Sequence, residues 1–389
     1  MLFSTPTLTS EDQWVSDRVD ELRTRLRHQV AQPRRWLGLL RRVTLARNIQ
    51  GSNSIEGYNV SLDDAVAVAE RDEPLDANEE TLRAVAGYRE AMTYVLQLAD
   101  DAYFEWDESL VRSLHYMMLS YDLGKSPGRW RLGPIFARRQ ETGEMAYDAP
   151  DAEEVPALMR ELLSTLRAPT PGTNALVRAA MAHLNLVMIH PFRDGNDRMA
   201  RCLQTLVLAR EGILAPEFSS VEEYLGRNTE EYHRVLGDVG AGAWHPERDA
   251  SPWIRYSLTA HYHQARTILR RVQEAEVRWE RLETLVAQRR LPDRTMPILF
   301  NASMGFRVRN VTYRSAAEVS ELVASRDLRS LVQGGLLQSQ GEGRGRFYVR
   351  TPLLIEVDRA AREARSPRAV EDPYDLAGQS VQPTLGLIS

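Results

Sequence analysis

"HPFRDGNDRMAR", residues 190–201, sets a histidine, a proline, two aspartates, a glycine turn and three arginines within one short stretch. It joins two apolar runs, "NALVRAAMAHLNLVMI" (174–189) and "MARCLQTLVLAREG" (199–212). The spacing predicts a helix for each. The first should stop at His190, because a residue preceding proline is pushed out of the α region. The second should open at Asn196, a favourable N-cap, and close at Gly212. The first N–H groups of such a helix have no partner within it, and with the macrodipole they make an anion site.

The residues around that helix start suit one kind of chemistry. Gly195, lacking a Cβ, lets the backbone turn tightly and approach a ligand. Arg198 and Arg201 are three apart and share a helix face. Two guanidiniums beyond an amide cradle fit a polyphosphate better than a single phosphate. Asp194 is a hard oxygen donor of the kind magnesium uses together with substrate phosphates. His190, just before the turn, could take a proton from an incoming hydroxyl. Base, metal ligand, cradle and clamp together describe phosphoryl or nucleotidyl transfer.

This stretch resembles the signature of the Fic family, HPFx(D/E)GN(G/K)R continued to a second arginine, at His190, Pro191, Phe192, Asp194, Gly195, Asn196, Arg198 and Arg201. "GRWRL", "YDAPDAEEVPALMREL" and "EEYHRVL" resemble Fic proteins in the same order, which extends the likeness to residues 35–260 or so. The resemblance implies a mainly α fold: a Fic-type helical core with a small β-hairpin flap, and a C-terminal winged-helix domain. It implies transfer of AMP from ATP to a protein hydroxyl, with magnesium. His190 would be the base and Asp194 the metal ligand. Gly195, Asn196, Asp197 and the following backbone would hold the α-phosphate. Arg198 and Arg201 would reach the outer phosphates, Phe192 would anchor the loop, and Tyr232 would line the adenine pocket.

"SNSIEG", Ser52 to Gly57, resembles the inhibitory (S/T)xxxE(G/N) motif of some Fic proteins. On that likeness Glu56 pairs with Arg201 and denies it to the γ-phosphate. One position departs from the family. Asp197 stands where Gly or Lys is usual, placing negative charge and a Cβ beside the cradle. The expected consequence is reduced donor affinity, while a solvent-facing Asp197 or one joining Asp194 around magnesium stays open. Two other functions stay open as well. One is de-AMPylation or use of another phosphate donor, and the other is a DNA-binding regulator that senses nucleotide.

The remaining sequence bounds these readings. A chain of 389 residues predicts two or three domains. The expected units are an N-terminal helical region (1–110), the core with following helices (111–285), a winged helix-turn-helix (288–352) and a disordered tail (353–389). Residues 128–150 read as a hairpin turning at Thr142 and Gly143. The net charge of −5 decides nothing about nucleic acid. No apolar run reaches a membrane span, the start lacks a leader pattern, and a lone cysteine, Cys202, fits a reducing cytoplasm. The basic residues are arginine except Lys125, a bias associated with GC-rich bacterial genomes. Residues 305–352 hold eight Arg against three Glu and one Asp, so DNA contact there is open, as is a homodimer. The expected partners are ATP and a target protein, the chain itself included. His183 and Cys202 are expected in the core and Trp130 beneath the flap. His261 and His263 are not expected to form a metal pair.

Overall fold

The computed structural model describes residues 1–70, 78–138, 145–365 and 371–381. The helix Ala175–Ile189 is apolar apart from Arg178, His183 and Asn185 and is buried along nearly its whole length, so it forms the axis of the first core. Asn174 caps it by accepting the Leu176 N–H at 2.7 Å. It ends at His190, whose left-handed φ of 52° breaks the helix where the His-Pro step predicts. The helix Asn196–Arg210 packs back against it, flanked by Glu79–Leu98, Glu108–Leu119 and Val155–Arg167.

The helix Leu37–Ile55 reaches this core through an unusually close crossing with Glu222–Arg227. A Cβ on Gly226 would lie 2.6 Å from the Gly51 Cα, and one on Gly51 would lie 2.5 Å from the Glu222 carbonyl. Only glycine at both positions allows the approach, which lays the last turn of that helix against Arg201.

The flap is a two-stranded antiparallel sheet, Phe136–Arg138 with Met145–Asp148, in which Phe136 faces Asp148. The expected turn at Thr142 and Gly143 lies outside the described residues. A parallel bridge from Asp148 to Ala243 ties its base to the body.

The 38-residue helix Ser251–Gln288 is a spine shared by two cores. Its first half packs into the core around the central helices, and its second half into a core with Met296–Ser303, Glu321–Gln333 and Leu354. Leu26, Trp36 and Leu39 belong to that second core, while Val43 and Ile49 belong to the first. The packing therefore cuts across the expected boundary at residue 110: the N-terminal helices are not a separate layer but parts of both cores.

Beyond the spine, three short helices (Met296–Ser303, Asn310–Ala317, Glu321–Gln333) precede a hairpin of Leu337–Gln340 and Phe347–Arg350. Val308 adds to that hairpin through paired backbone bonds with Tyr348 at 2.8 and 2.9 Å. The expected disorder of 353–389 is corrected for most of the described residues there. "PLLIEVDRAARE" spaces Leu354, Val357 and Ala361 on one face and forms the helix Pro352–Glu363. Pro373–Val381 is also helical, with Ala377 buried and the Tyr374 hydroxyl donating to Asp12 at 3.0 Å. Charge and Pro content hid a helical period long enough to dock. Among the described residues, no helix is long and apolar enough to cross a membrane.

Candidate active site

His190 is half-buried at the C-cap of the central helix, and its backbone is held from outside by Arg131. The Arg131 Nε donates to the His190 carbonyl at 2.8 Å, its Nη1 to Gly133 at 3.0 Å, and its Nη2 to Pro150. The Arg131 N–H bonds the Pro191 carbonyl at 2.9 Å. This arginine, inside the "GRWRL" segment, fixes the flap base to the histidine. The His190 Nδ1 sits 3.2 Å from the Val187 carbonyl, so it carries the proton and the lone pair is on Nε2. Burial lowers its pKa, with the Asp197 charge pulling the other way, and the ring is a neutral base at pH 7.

The loop after it is held by aromatic packing. Phe192 is fully buried, stacked on the His115 ring at 3.6 Å and tilted against Trp130 at 4.9 Å. Asn196 is not the N-cap expected; Gly195 takes that position with φ 75°, and Asn196 is the first helical residue. Its amide accepts the Phe192 N–H and donates to the Phe192 carbonyl, both at 2.9 Å. The side chain closes the loop on itself and only its backbone is available to a phosphate. The positive φ is what calls for glycine at 195; a Cβ there would also crowd the tip of the Leu119 side chain, 2.9 Å away.

Two arginines lie beneath the helix start. Arg198 is 1% exposed, with its guanidinium 5.2 Å from the Tyr58 ring. Its Nε and Nη1 are buried and, among the described residues, have no hydrogen-bond partner. Arg201 is engaged: Nε donates to the Ser52 hydroxyl at 2.8 Å, and Nη2 to the Ser52 carbonyl at 3.0 Å and to Glu56 at 2.6 Å. Gly57, at φ 81°, turns the chain away directly after Glu56 and sends Tyr58 over Arg198. The structure thus brings Ser52, Glu56, Gly57, His190, Asp194, Asp197, Arg198 and Arg201 to one place. Asp197 is half-buried, and its charge acts on His190, His183 and Arg201.

Tyr232 is corrected as a base-lining residue. It is fully buried under Arg201, and its hydroxyl donates to the His183 Nε2 at 3.0 Å. His183 Nδ1 in turn bonds Gln204 at 2.6 Å, and Gln204 bonds His261 at 3.2 Å. Burial depresses both histidines to about 3, so this is a neutral polar chain supporting Arg201. His183 is the hydrogen-bonded core histidine that its helix position suggests, and Cys202 is buried.

Both Asp194 carboxylate oxygens are engaged by the protein itself. Oδ1 accepts the Gly195 N–H at 2.6 Å, and Oδ2 lies 2.8 Å from the Lys125 Nζ. Among the described residues no group of three His, Cys, Asp or Glu side chains is placed to hold an ion. Lys125, Tyr58, Arg131 and His115 are the site residues that the motif does not announce. The lone lysine and the "GRWRL" arginine were visible signals; Tyr58 and His115 had none.

Residues 105–208 match the model of the Fic/DOC family. The chain is similar to the protein adenylyltransferase Fic of Nematostella vectensis, 28% identical over 264 residues, 64% of this chain and 55% of that protein. It is also similar to the protein adenylyltransferase fic-1 of Caenorhabditis elegans, 25% identical over 65% of this chain and 46% of that protein. The chain spans about half the length of these curated relatives. A crystal structure of a Fic family protein from Desulfovibrio desulfuricans G20 shares the fold, with TM-score 0.57 and 23% identity over 90% of this chain and 98% of that one. The motif at 190–201, its helix–turn–helix placement and these likenesses agree, and over residues 105–208 the chain is a Fic/DOC family domain.

Proposed function

We propose that the protein transfers AMP from ATP to a protein hydroxyl, restrained by Glu56. The observation that carries this is Arg198. Its buried guanidinium has N–H groups unpaired among the described residues, directly under a helix start whose amides at Asn196, Asp197 and Arg198 lack partners one turn back. A buried donor without a partner costs about 1–3 kcal/mol, more for a charged group, and a phosphate chain supplies what is missing. His190 adds the function of a base: Nε2 takes the proton of the acceptor hydroxyl as its oxygen bonds the α-phosphorus. The bond between the α-phosphorus and the bridging oxygen breaks, and pyrophosphate leaves with that oxygen. The flap, tethered by Arg131 and by the Tyr147 hydroxyl on Met188 at 2.9 Å, offers a short strand edge for an acceptor segment. Magnesium, which the family resemblance brings, would meet Asp194 already paired with Lys125.

The test is intact-mass spectrometry of the protein after incubation with ATP and a divalent salt, alone and with cell extract fractions separated by mass. A covalent gain of one AMP on the protein or a substrate, dependent on His190, is the expected result. Hydrolysis of ATP with no adduct on any protein would sink the reading.

Asp197 tunes this site. Its charge beside the cradle opposes the phosphates, so Asp197→Gly should tighten nucleotide binding by calorimetry, about tenfold for roughly 1.4 kcal/mol. The same change removes an acid from a helix first turn and lowers stability by about 0.3–1 kcal/mol. Unchanged nucleotide affinity would show that Asp197 faces away from the phosphates.

The unit at residues 288–352 we read as a winged helix-turn-helix. DNA contact there is weakened by how its arginines are used. Arg307 pairs with Asp63 and Asp64, and Arg350 with Asp358 and the Ser303 carbonyl. The first of these ties the unit to the helix that follows the Glu56 motif, which suits an internal docking role better than a phosphate-facing one.

A further inference from the structure

The one lysine of the chain touches the one carboxylate that the family likeness gives to a metal. Lys125 ends a short 3-10 turn, Leu123–Lys125, in which Asp122 accepts the Gly124 N–H at 2.9 Å. Its Nζ lies 2.8 Å from the Asp194 Oδ2 and 3.3 Å from the Tyr58 hydroxyl, with the Tyr121 and Tyr58 rings at 5.9 and 6.0 Å. This seat is built from both sides. The His115 Nδ1 accepts the Gly128 N–H at 2.8 Å, three residues past Lys125, and its Nε2 meets the Asp194 carbonyl at 2.9 Å. One neutral imidazole therefore spaces the lysine turn from the aspartate loop. The choice of side chain is also informative. Arginine fills every other basic position, yet its planar fork cannot imitate an inorganic cation, whereas a compact ammonium is close to a point charge.

We propose that Lys125 is a tethered occupant of the cation position at Asp194, and that a divalent ion arriving with nucleotide binds there only by displacing it. The inference rests on the nucleotide-transfer reading above. It makes Lys125 a positioning residue: in the nucleotide-free protein it neutralises Asp194 and, through Tyr58, joins that carboxylate to the cover over Arg198. Loading the site then requires two exchanges, Glu56 leaving Arg201 and Lys125 leaving Asp194.

The test is a manganese titration followed by electron paramagnetic resonance, in full-length Glu56→Gly protein saturated with a non-hydrolysable ATP analogue. Lys125→Met should tighten the apparent Mn2+ Kd about tenfold or more, because a like charge no longer competes at the carboxylate. Lys125→Gln repeats the measurement with a polar side chain should the Met variant fold poorly. In an Asp194→Asn background the effect of removing the lysine should vanish. Equal Mn2+ affinity with and without Lys125, or an equal gain in the Asp194→Asn background, overturns the proposal while the nucleotide site stands. Failure of both proteins to bind the analogue overturns the nucleotide reading and this inference with it.

Discussion

Glu56→Gly should raise AMP incorporation by roughly 5–150-fold, the range of a coupling worth about 1–3 kcal/mol between a restraining contact and a ligand site. The argument is local. Arg201 is fully buried, and Ser52 and Glu56 take three of its hydrogen bonds, leaving only Nη1 unpaired among the described residues. While Glu56 holds Nη2, that arginine cannot turn to an outer phosphate. Removing the acid leaves Ser52 to position the guanidinium and frees its charge. The same change exposes the cost of a buried, uncompensated cation, about 3–5 kcal/mol when a partner is deleted. Glu56→Gly should therefore melt below the parent without nucleotide and gain more from added nucleotide than the parent does. Glu56→Gln, which keeps an acceptor but loses the charge, should fall between. Initial rates of labelled AMP incorporation and melting curves with and without nucleotide check both halves; equal rates in parent and variant would remove the restraint from the account.

How much of this was legible in the sequence divides by the kind of force involved. The helix–turn–helix at 190–201 was legible because local rules act there: proline after His190 ends one helix, and Gly195 is needed for the turn into the next. The pairing of Glu56 with Arg201 came from a resemblance, since nothing local predicts a contact 145 residues away. The Gly51–Gly226 crossing that delivers it depends on two backbones meeting, which no single segment reveals. The Asn196 amide has two uses at a helix start, so the sequence does not choose between them; the one that wins, closing on Phe192, is decided by the aromatic packing of His115 and Trp130. The family likeness puts Tyr232 at the adenine pocket, but a hydroxyl that can reach His183 allows full burial instead. In the tail, charge and proline content point to disorder while the spacing of Leu354, Val357 and Ala361 points to helix, and it is the spacing that packing follows.

His190→Ala, in the Glu56→Gly protein, should lower the transfer rate by about 10²–10⁴-fold, the range ascribed to a positioned general base. Nucleotide binding should stay within about twofold, since the imidazole faces the acceptor and the phosphates are held by the amides and Arg198. The pH profile gives a second, independent reading. Burial lowers the His190 pKa below its ordinary 6.5, while the Asp197 charge raises it against that trend. A base must be unprotonated to act, so the rate should climb as pH rises through a midpoint below 6.5 and then stay level through neutrality. Replacing Asp197 by glycine removes the opposing charge and should carry that midpoint lower still. Rapid-quench rates of AMP transfer between pH 4.5 and 8 check the pair. A rate that keeps climbing above pH 7, or a midpoint unmoved by Asp197→Gly, would mean that another group takes the proton and that the Nδ1–Val187 bond orients a ring without a catalytic task.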